Sequence, residues 1–244
     1  MLETKWLYVI LNALTISVPL ARSFENRVAF YKGFASLFKS IFLVSGFFLI
    51  WDVFFTDMGV WGFTPRYLCG AEFLGLPLGE YLFFLTVPYA SVFIYECLKF
   101  FKPNGILKIQ TTKMISSVLI GFCIILGFYG LLTGKWYTTS TFFLLGLAIL
   151  FLQFIVRSQW LPRFYESWFI TLIPFFMKNG ILTGSIIDEQ VVWYNDNQNL
   201  GFRLGTIPFE DVFYGMLLIL CTIYFYERFE SKRLLKGLSN KNEH

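Results

Sequence analysis

Histidine is almost missing from this chain, its single copy being His244, the last of 244 residues. That excludes histidine metal clusters and any Ser/His or Cys/His nucleophile system in one step. The four cysteines (Cys69, Cys97, Cys123 and Cys221) form no C-x-x-C and sit mostly in apolar runs. They read as small buried hydrophobes, not as a disulfide framework or a metal site. No G-x-G-x-x-G follows a strand-like segment, which argues against a Rossmann flavin or nicotinamide site. Charge is scarce too, at 15% of residues and a formal net of only +4, so a nucleic-acid partner is not expected. Neither a metal nor a cofactor is expected.

What the chain does have is apolar and aromatic. Hydrophobic residues make up 56% and aromatics 21%, with 31 Phe, and mean hydropathy is +0.61. A water-soluble fold of this size has no use for so much apolar surface, so the class is an all-α integral membrane protein. Seven apolar stretches, near residues 6–21, 34–51, 77–97, 115–133, 139–156, 165–183 and 208–227, have roughly the ~17–25 residues a membrane-crossing helix needs. The first lacks a small-x-small cleavage site and is followed by a second span, so it reads as a span, not a signal peptide.

The chain also repeats itself. Residues 77–96, PLGEYLFFLTVPYASVFIYE, align without a gap on residues 208–227, PFEDVFYGMLLILCTIYFYE, at an offset of 131. The offset pairs Pro77 with Pro208, Glu80 with Asp211, Phe83 with Tyr214, Tyr95 with Tyr226 and Glu96 with Glu227. It carries the first three spans onto the fifth, sixth and seventh. The expected architecture is two parallel three-helix repeats, 1–101 and 137–232, joined by a linker transmembrane helix within 102–136 and followed by a basic tail, 233–244.

Fifteen of the 20 lysines and arginines fall in the loops after spans one, three and five or in the C-terminal region. That asymmetry puts the C-terminus in the cytoplasm and the N-terminus outside, in the cell membrane. The longer loops 52–76 and 184–207 then lie on the outer side, each with tryptophan, glycine and acids.

Acidic side chains at the start of a membrane helix are costly and usually functional. Glu80, Glu210 and Asp211 fall in the first turns of their helices if Pro77 and Pro208 take first-turn positions. The plain alternative is that each acid merely complements its own helix dipole. Three facts favour a site instead: the pattern occurs twice, aromatics surround it, and Glu210 and Asp211 are adjacent. On the face below Glu80 lie Phe84, Pro88 and Ser91, and below Asp211 lie Gly215, Ile219 and Thr222, which would make a largely apolar channel with acids at its mouth. Glu96 and Glu227 read as interfacial acids near Lys99 or Arg228.

These motifs, P-x-G-E-x-x-F-F at 77–84, P-x-E-D-x-x-Y at 208–214, NGILTG at 179–184 and VVWYN at 191–195, resemble the membrane-bound, heterodimer-type lycopene cyclases in a fused single-chain form. The family pattern is P-x-E-(E/D)-x-x-F in each half. The resemblance implies that Glu80, Glu210 and Asp211 are the catalytic acids, with Asp52 and Asn179 as polar residues at equivalent span ends. Gly79 departs from it, standing where the first acid of the pair is usual. It further implies a lycopene β-cyclase: one acid protonates a terminal double bond, the ring closes, and another group takes a proton away. Aromatic faces, Phe83, Phe84, Trp61, Trp193 and Tyr214, would line the substrate and stabilise the cation. The expected partners are lycopene or another hydrophobic polyene and membrane lipid; a homo-oligomer is compatible with the sequence.

Other classes fit less well. A retinal photoreceptor needs a lysine in its last helix, and 208–227 has none; Lys178 is the only interior candidate. A prenyltransferase needs two aspartate-rich motifs, and only YNDNQN hints at one. A cyclase for another carotenoid end group, or a membrane transporter with a proton path, remains open.

Overall fold

A computed structural model describes residues 4–242, with side chains to residue 236, so His244 lies outside the described residues. Seven helices follow one another: α1 (Leu7–Arg22), α2 (Phe34–Asp57), α3 (Leu78–Phe101), α4 (Ile109–Thr133), α5 (Trp136–Leu150), α6 (Leu161–Leu182) and α7 (Phe209–Asn242). A π-helical turn, Phe151–Ile155, extends α5. Five helical stretches are long and apolar enough to cross a membrane, and they involve α2, α3, α4, α5 and α7. Of the other two, α1 is apolar but has only 16 residues, and α6 carries Arg163, Glu166 and Lys178 among its 22. α7 runs on into the basic tail, with Arg233 bonded one turn back to Glu230.

The second helix of each half packs against the third helix of the other, α2 on α7 and α6 on α3, while α1 packs on α3 and α5 on α7. α4 packs chiefly on α5. The core between them is aromatic, and includes Phe48, Trp51, Phe84, Tyr89, Phe142, Phe164 and Tyr214.

Short strands form between α2 and α3 and between α6 and α7. Hairpin β2 (Glu72–Phe73) with β3 (Leu76–Pro77) recurs 131 residues later as β5 (Arg203–Leu204) with β6 (Ile207–Pro208). Pro77 and Pro208 therefore end a strand instead of occupying the first helical turn. Pro77 is extended, at ψ 154°, and α3 begins at Leu78. β1 (Trp61–Phe63) pairs with β4 (Val192–Tyr194), and in this antiparallel ladder Gly62 faces Trp193, Trp61 faces Tyr194 and Phe63 faces Val192. Gly62 and Trp193 are themselves 131 apart, and their neighbours pair reciprocally. A contact in which i meets the counterpart of j, and j the counterpart of i, is what a local twofold rotation generates.

At the opposite end of the bundle, Lys99 Nζ bridges Glu96 at 2.9 Å and Glu227 at 2.7 Å, and the Tyr95 hydroxyl donates to Glu227 at 2.7 Å. These two acids serve as ties between α3 and α7.

The Trp193 indole lies where a Cβ on Gly62 would have to be. Gly62→Val should therefore destabilise the protein by about 1–3 kcal/mol through overpacking, lowering the midpoint of thermal unfolding in detergent. Gly46→Ala, in α2 with nothing within 4 Å of its Cβ, should leave that midpoint unchanged or raise it.

Candidate active site

Three carboxyl groups converge where the two halves meet. Asp52, near the end of α2, is 2% exposed; Glu80, in the first turn of α3, is 7%; Asp211, in the first turn of α7, is 5%. Glu80 does not cap its own helix, for no side-chain bond closes the start of α3. It takes a hydrogen bond from outside instead: the Tyr8 hydroxyl on α1 donates to Glu80 Oε1 at 2.5 Å. Asp211 is held in the same way from α5, where the Tyr137 hydroxyl donates to Oδ1 at 2.6 Å. The Tyr194 hydroxyl, from β4, donates to its Oδ2 at 2.9 Å. Burial, with the Asp211 carboxylate beside it, pushes the Tyr194 phenol well above its ordinary value, so it remains a donor. Asp52 accepts from the Trp61 indole, Nε1 to Oδ1 at 2.6 Å, while its Oδ2 is buried without a hydrogen-bond partner.

All three carboxyls line one cavity of about 60 Å³. Its walls include Trp61, Phe83, Phe84, Tyr214 and Asn179, and its roof is the ladder between the halves, through Trp61, Val192 and Tyr194. The aromatic rings are themselves locked: Tyr214 lies 5.0 Å from Trp51 and 5.1 Å from Phe48, centroid to centroid. A second space of about 260 Å³ adjoins the cavity, sharing Phe83, Phe175, Asn179 and Gly215 with it. This groove is mainly apolar, runs between α1, α3, α6 and α7, and opens on the flank of the bundle past Leu14 and Val18. Ser91 and Ile219 from the expected channel faces line it, whereas Pro88 and Thr222 are buried in helix packing.

Two expected site residues lie elsewhere. Glu210 is fully buried but turned away from the cavity. Its Oε1 takes the Thr138 hydroxyl at 2.6 Å and the Leu200 backbone N–H at 2.8 Å, tying the loop before α7 to α5. Trp193 is 40% exposed and covers Gly62 on the outside of the ladder. The same geometry explains Gly79. The Tyr8 ring occupies the space a side chain there would need, and the Gly79 carbonyl accepts from Asn12 Nδ2 at 3.0 Å.

Several residues that matter were not apparent from the sequence. Tyr8 and Tyr137 lie 129 apart, so an offset of 131 with a two-residue gap would have matched them. Lys178 is buried, with Nζ donating to Asn12 Oδ1 at 2.8 Å and standing 4.6 Å from the Phe83 ring centroid. Only its isolation among interior lysines signalled it. Thr183, the gap-free counterpart of Asp52, also lines the cavity.

Two stretches of the chain, residues 5–98 and 134–229, match the family model described as Lycopene cyclase, leaving α4 between them. No curated protein and no solved structure matches the chain.

Gly79→Glu, which would restore an acid pair to the first half, should displace Tyr8 and lower the unfolding midpoint measurably. Glu210→Gln should act on stability, at about 1–3 kcal/mol for a buried network disturbed, seen as an earlier melt of the purified protein.

Proposed function

The chain belongs to the lycopene cyclase family, a family of carotenoid cyclases, and from this we propose that it is a lycopene β-cyclase. It closes the ψ end groups of lycopene to β-ionone rings, by way of γ-carotene to β-carotene, through acid–base chemistry with no cofactor. The observation that carries this reading is the convergence of Asp52, Glu80 and Asp211 on one aromatic cavity that continues into an apolar groove on the flank. A proton delivered to the terminal double bond creates a tertiary cation. The neighbouring double bond attacks it, the six-membered ring closes, and loss of a proton restores neutrality. The reaction has no net redox change.

Such a cation needs a site that attracts it without trapping it. Aromatic faces do this through the ring quadrupole, and Phe83, Phe84, Trp61 and Tyr214 all line the cavity. Buried carboxylates add fixed negative charge in a medium where it counts more than in water. The tyrosine hydroxyls holding Glu80 and Asp211 keep their oxygens in place. The cavity of about 60 Å³ continues into the groove of about 260 Å³, so an end group can sit among the acids with the rest of the polyene lying along the groove among lipid chains.

The membrane arrangement belongs to the same reading: seven spans as two parallel repeats, with the N-terminus outside and the C-terminus in the cytoplasm. It is supported by the loops between α2 and α3 and between α6 and α7 meeting in one ladder, and by the lysines and arginines gathered mainly at the other end.

Expression in lycopene-accumulating cells should convert the pigment to β-carotene; unchanged lycopene with the protein present in the membrane would overturn the assignment. Glu80→Gln should lower turnover by roughly 10²–10⁴-fold, the usual worth of a positioned acid or base, and Asp211→Asn should lower it as well, each with membrane insertion intact. Gly215 sits where cavity and groove join, and a Cβ there would already lie 3.3 Å from Phe175. Gly215→Leu should fill the throat and abolish pigment conversion in a protein that still folds.

A further inference from the structure

The repeat supplies two of the three cavity carboxyls, and the third breaks it. Glu80 and Asp211 are counterparts, each accepting a tyrosine hydroxyl from the first helix of its own half. A carboxyl oxygen that accepts hydrogen bonds of this kind is configured as an acceptor, which is the state of a carboxylate. Asp211 is engaged at both oxygens, by Tyr137 and Tyr194.

Asp52 has no acidic counterpart. The strict offset gives Thr183, and a four-residue gap gives Asn179. Its environment differs as well. One oxygen is fixed by the Trp61 indole, while Oδ2 is sealed from solvent with no partner in a cavity walled by aromatic rings. An ionised oxygen left bare in such a place is expensive, whereas a protonated one carries an O–H that needs no further donor. That O–H is the kind of group a carbon–carbon double bond can take a proton from.

We propose that Asp52 is the proton donor of the cyclisation, and that Glu80 is the base. This rests on the reading of the chain as a lycopene cyclase. The Asp52 Oδ2–H bond breaks and its proton forms a C–H bond on the terminal double bond, leaving Asp52 as carboxylate and the substrate as a tertiary cation. Ring closure moves the cation to the next carbon of the former double bond. Glu80 removes a proton from the ring, the electron pair becomes the new double bond, and Glu80 is left protonated. After product departs, that proton returns from Glu80 to Asp52, both of which line the same cavity, and the cycle closes with no external acid. Asp211, held by two phenols, stays a carboxylate and stabilises the cation.

Asp52→Asn tests the assignment with little disturbance, because the amide oxygen can still accept from Trp61. Turnover of lycopene should fall by at least about 100-fold, with unfolding midpoint and carotenoid binding close to wild type. Infrared spectra give a readout independent of activity. Glu166 and Glu210 also keep a buried oxygen without a partner, so the wild-type protein should show a protonated-acid carbonyl component, shifted in D2O, that is retained in Glu80→Gln, Asp211→Asn, Glu166→Gln and Glu210→Gln and lost in Asp52→Asn. Turnover within threefold of wild type would refute the donor role whatever the spectrum shows, and so would lost turnover with that carbonyl component still in place. If Asp52→Asn does not fold, Asp52→Glu replaces it. A displaced carbonyl band supports the assignment and an unmoved one overturns it. Failure of the wild-type protein to cyclise lycopene would instead count against the functional reading, and the infrared comparison would still report which carboxyl holds the proton.

Discussion

A carboxyl group buried among aromatic and aliphatic side chains must either receive hydrogen bonds or keep its proton. Much of this molecule can be understood as an answer to that constraint. Tyr8 reaches across from α1 to Glu80, Tyr137 from α5 to Asp211, and Tyr194 from the ladder to the same aspartate. Thr138 and the Leu200 amide serve Glu210. At the far end of the bundle Lys99 serves Glu96 and Glu227. All of these bonds but the one from Lys99 to Glu96, which lies within α3, join different elements, so the partners that make the acids tolerable also hold the helices together. Among the cavity acids, Asp52 alone has an oxygen both sealed from solvent and without a partner, and the energetic argument leads there for the chemistry.

The two halves obey a twofold relation in their backbone and depart from it in their side chains. Strands and helices recur at the 131-residue offset, and the ladder pairs Gly62 with its own counterpart. Yet Gly79 faces the Tyr8 ring where its counterpart Glu210 binds Thr138, and Phe83 stands beneath Lys178 while its counterpart Tyr214 packs on Trp51. An acid–base reaction needs a donor and an acceptor in different states. A strictly symmetric site would hold both in the same one. Phe83 and Tyr214 line the cavity, which is where unequal roles are required.

Much of the fold was legible because hydropathy and the repeat report backbone placement directly. The seven helices start within about six residues of the apolar stretches and, except for α7, which runs on to Asn242, stop within about six of them, and the offset identified Glu80 and Asp211 as counterparts. Asp52, Trp61, Phe83, Phe84, Tyr214 and Asn179 do line the cavity. What sequence could not show depends on which way a side chain turns. Glu210 and Asp211 are adjacent in sequence and therefore point about 100° apart around a helix of 3.6 residues per turn, so only one of them reaches the cavity. The paired strands were invisible for another reason: two- and three-residue strands carry no periodicity. The position of Trp193 follows from these strands, since the antiparallel ladder sends it outward over Gly62. The tyrosines escaped notice because tyrosine is common in this chain, with 13 copies, and ordinary at membrane interfaces.

The helix α4 stands outside both family-matched stretches and packs chiefly on α5. It works as a tether. Two separate three-helix subunits would have to find each other by diffusion in the bilayer, and identical ones could also pair with themselves. A covalent link keeps one half within reach of the other and fixes their stoichiometry at one to one. Selection can then specialise each half separately, since neither ever has to meet a copy of itself.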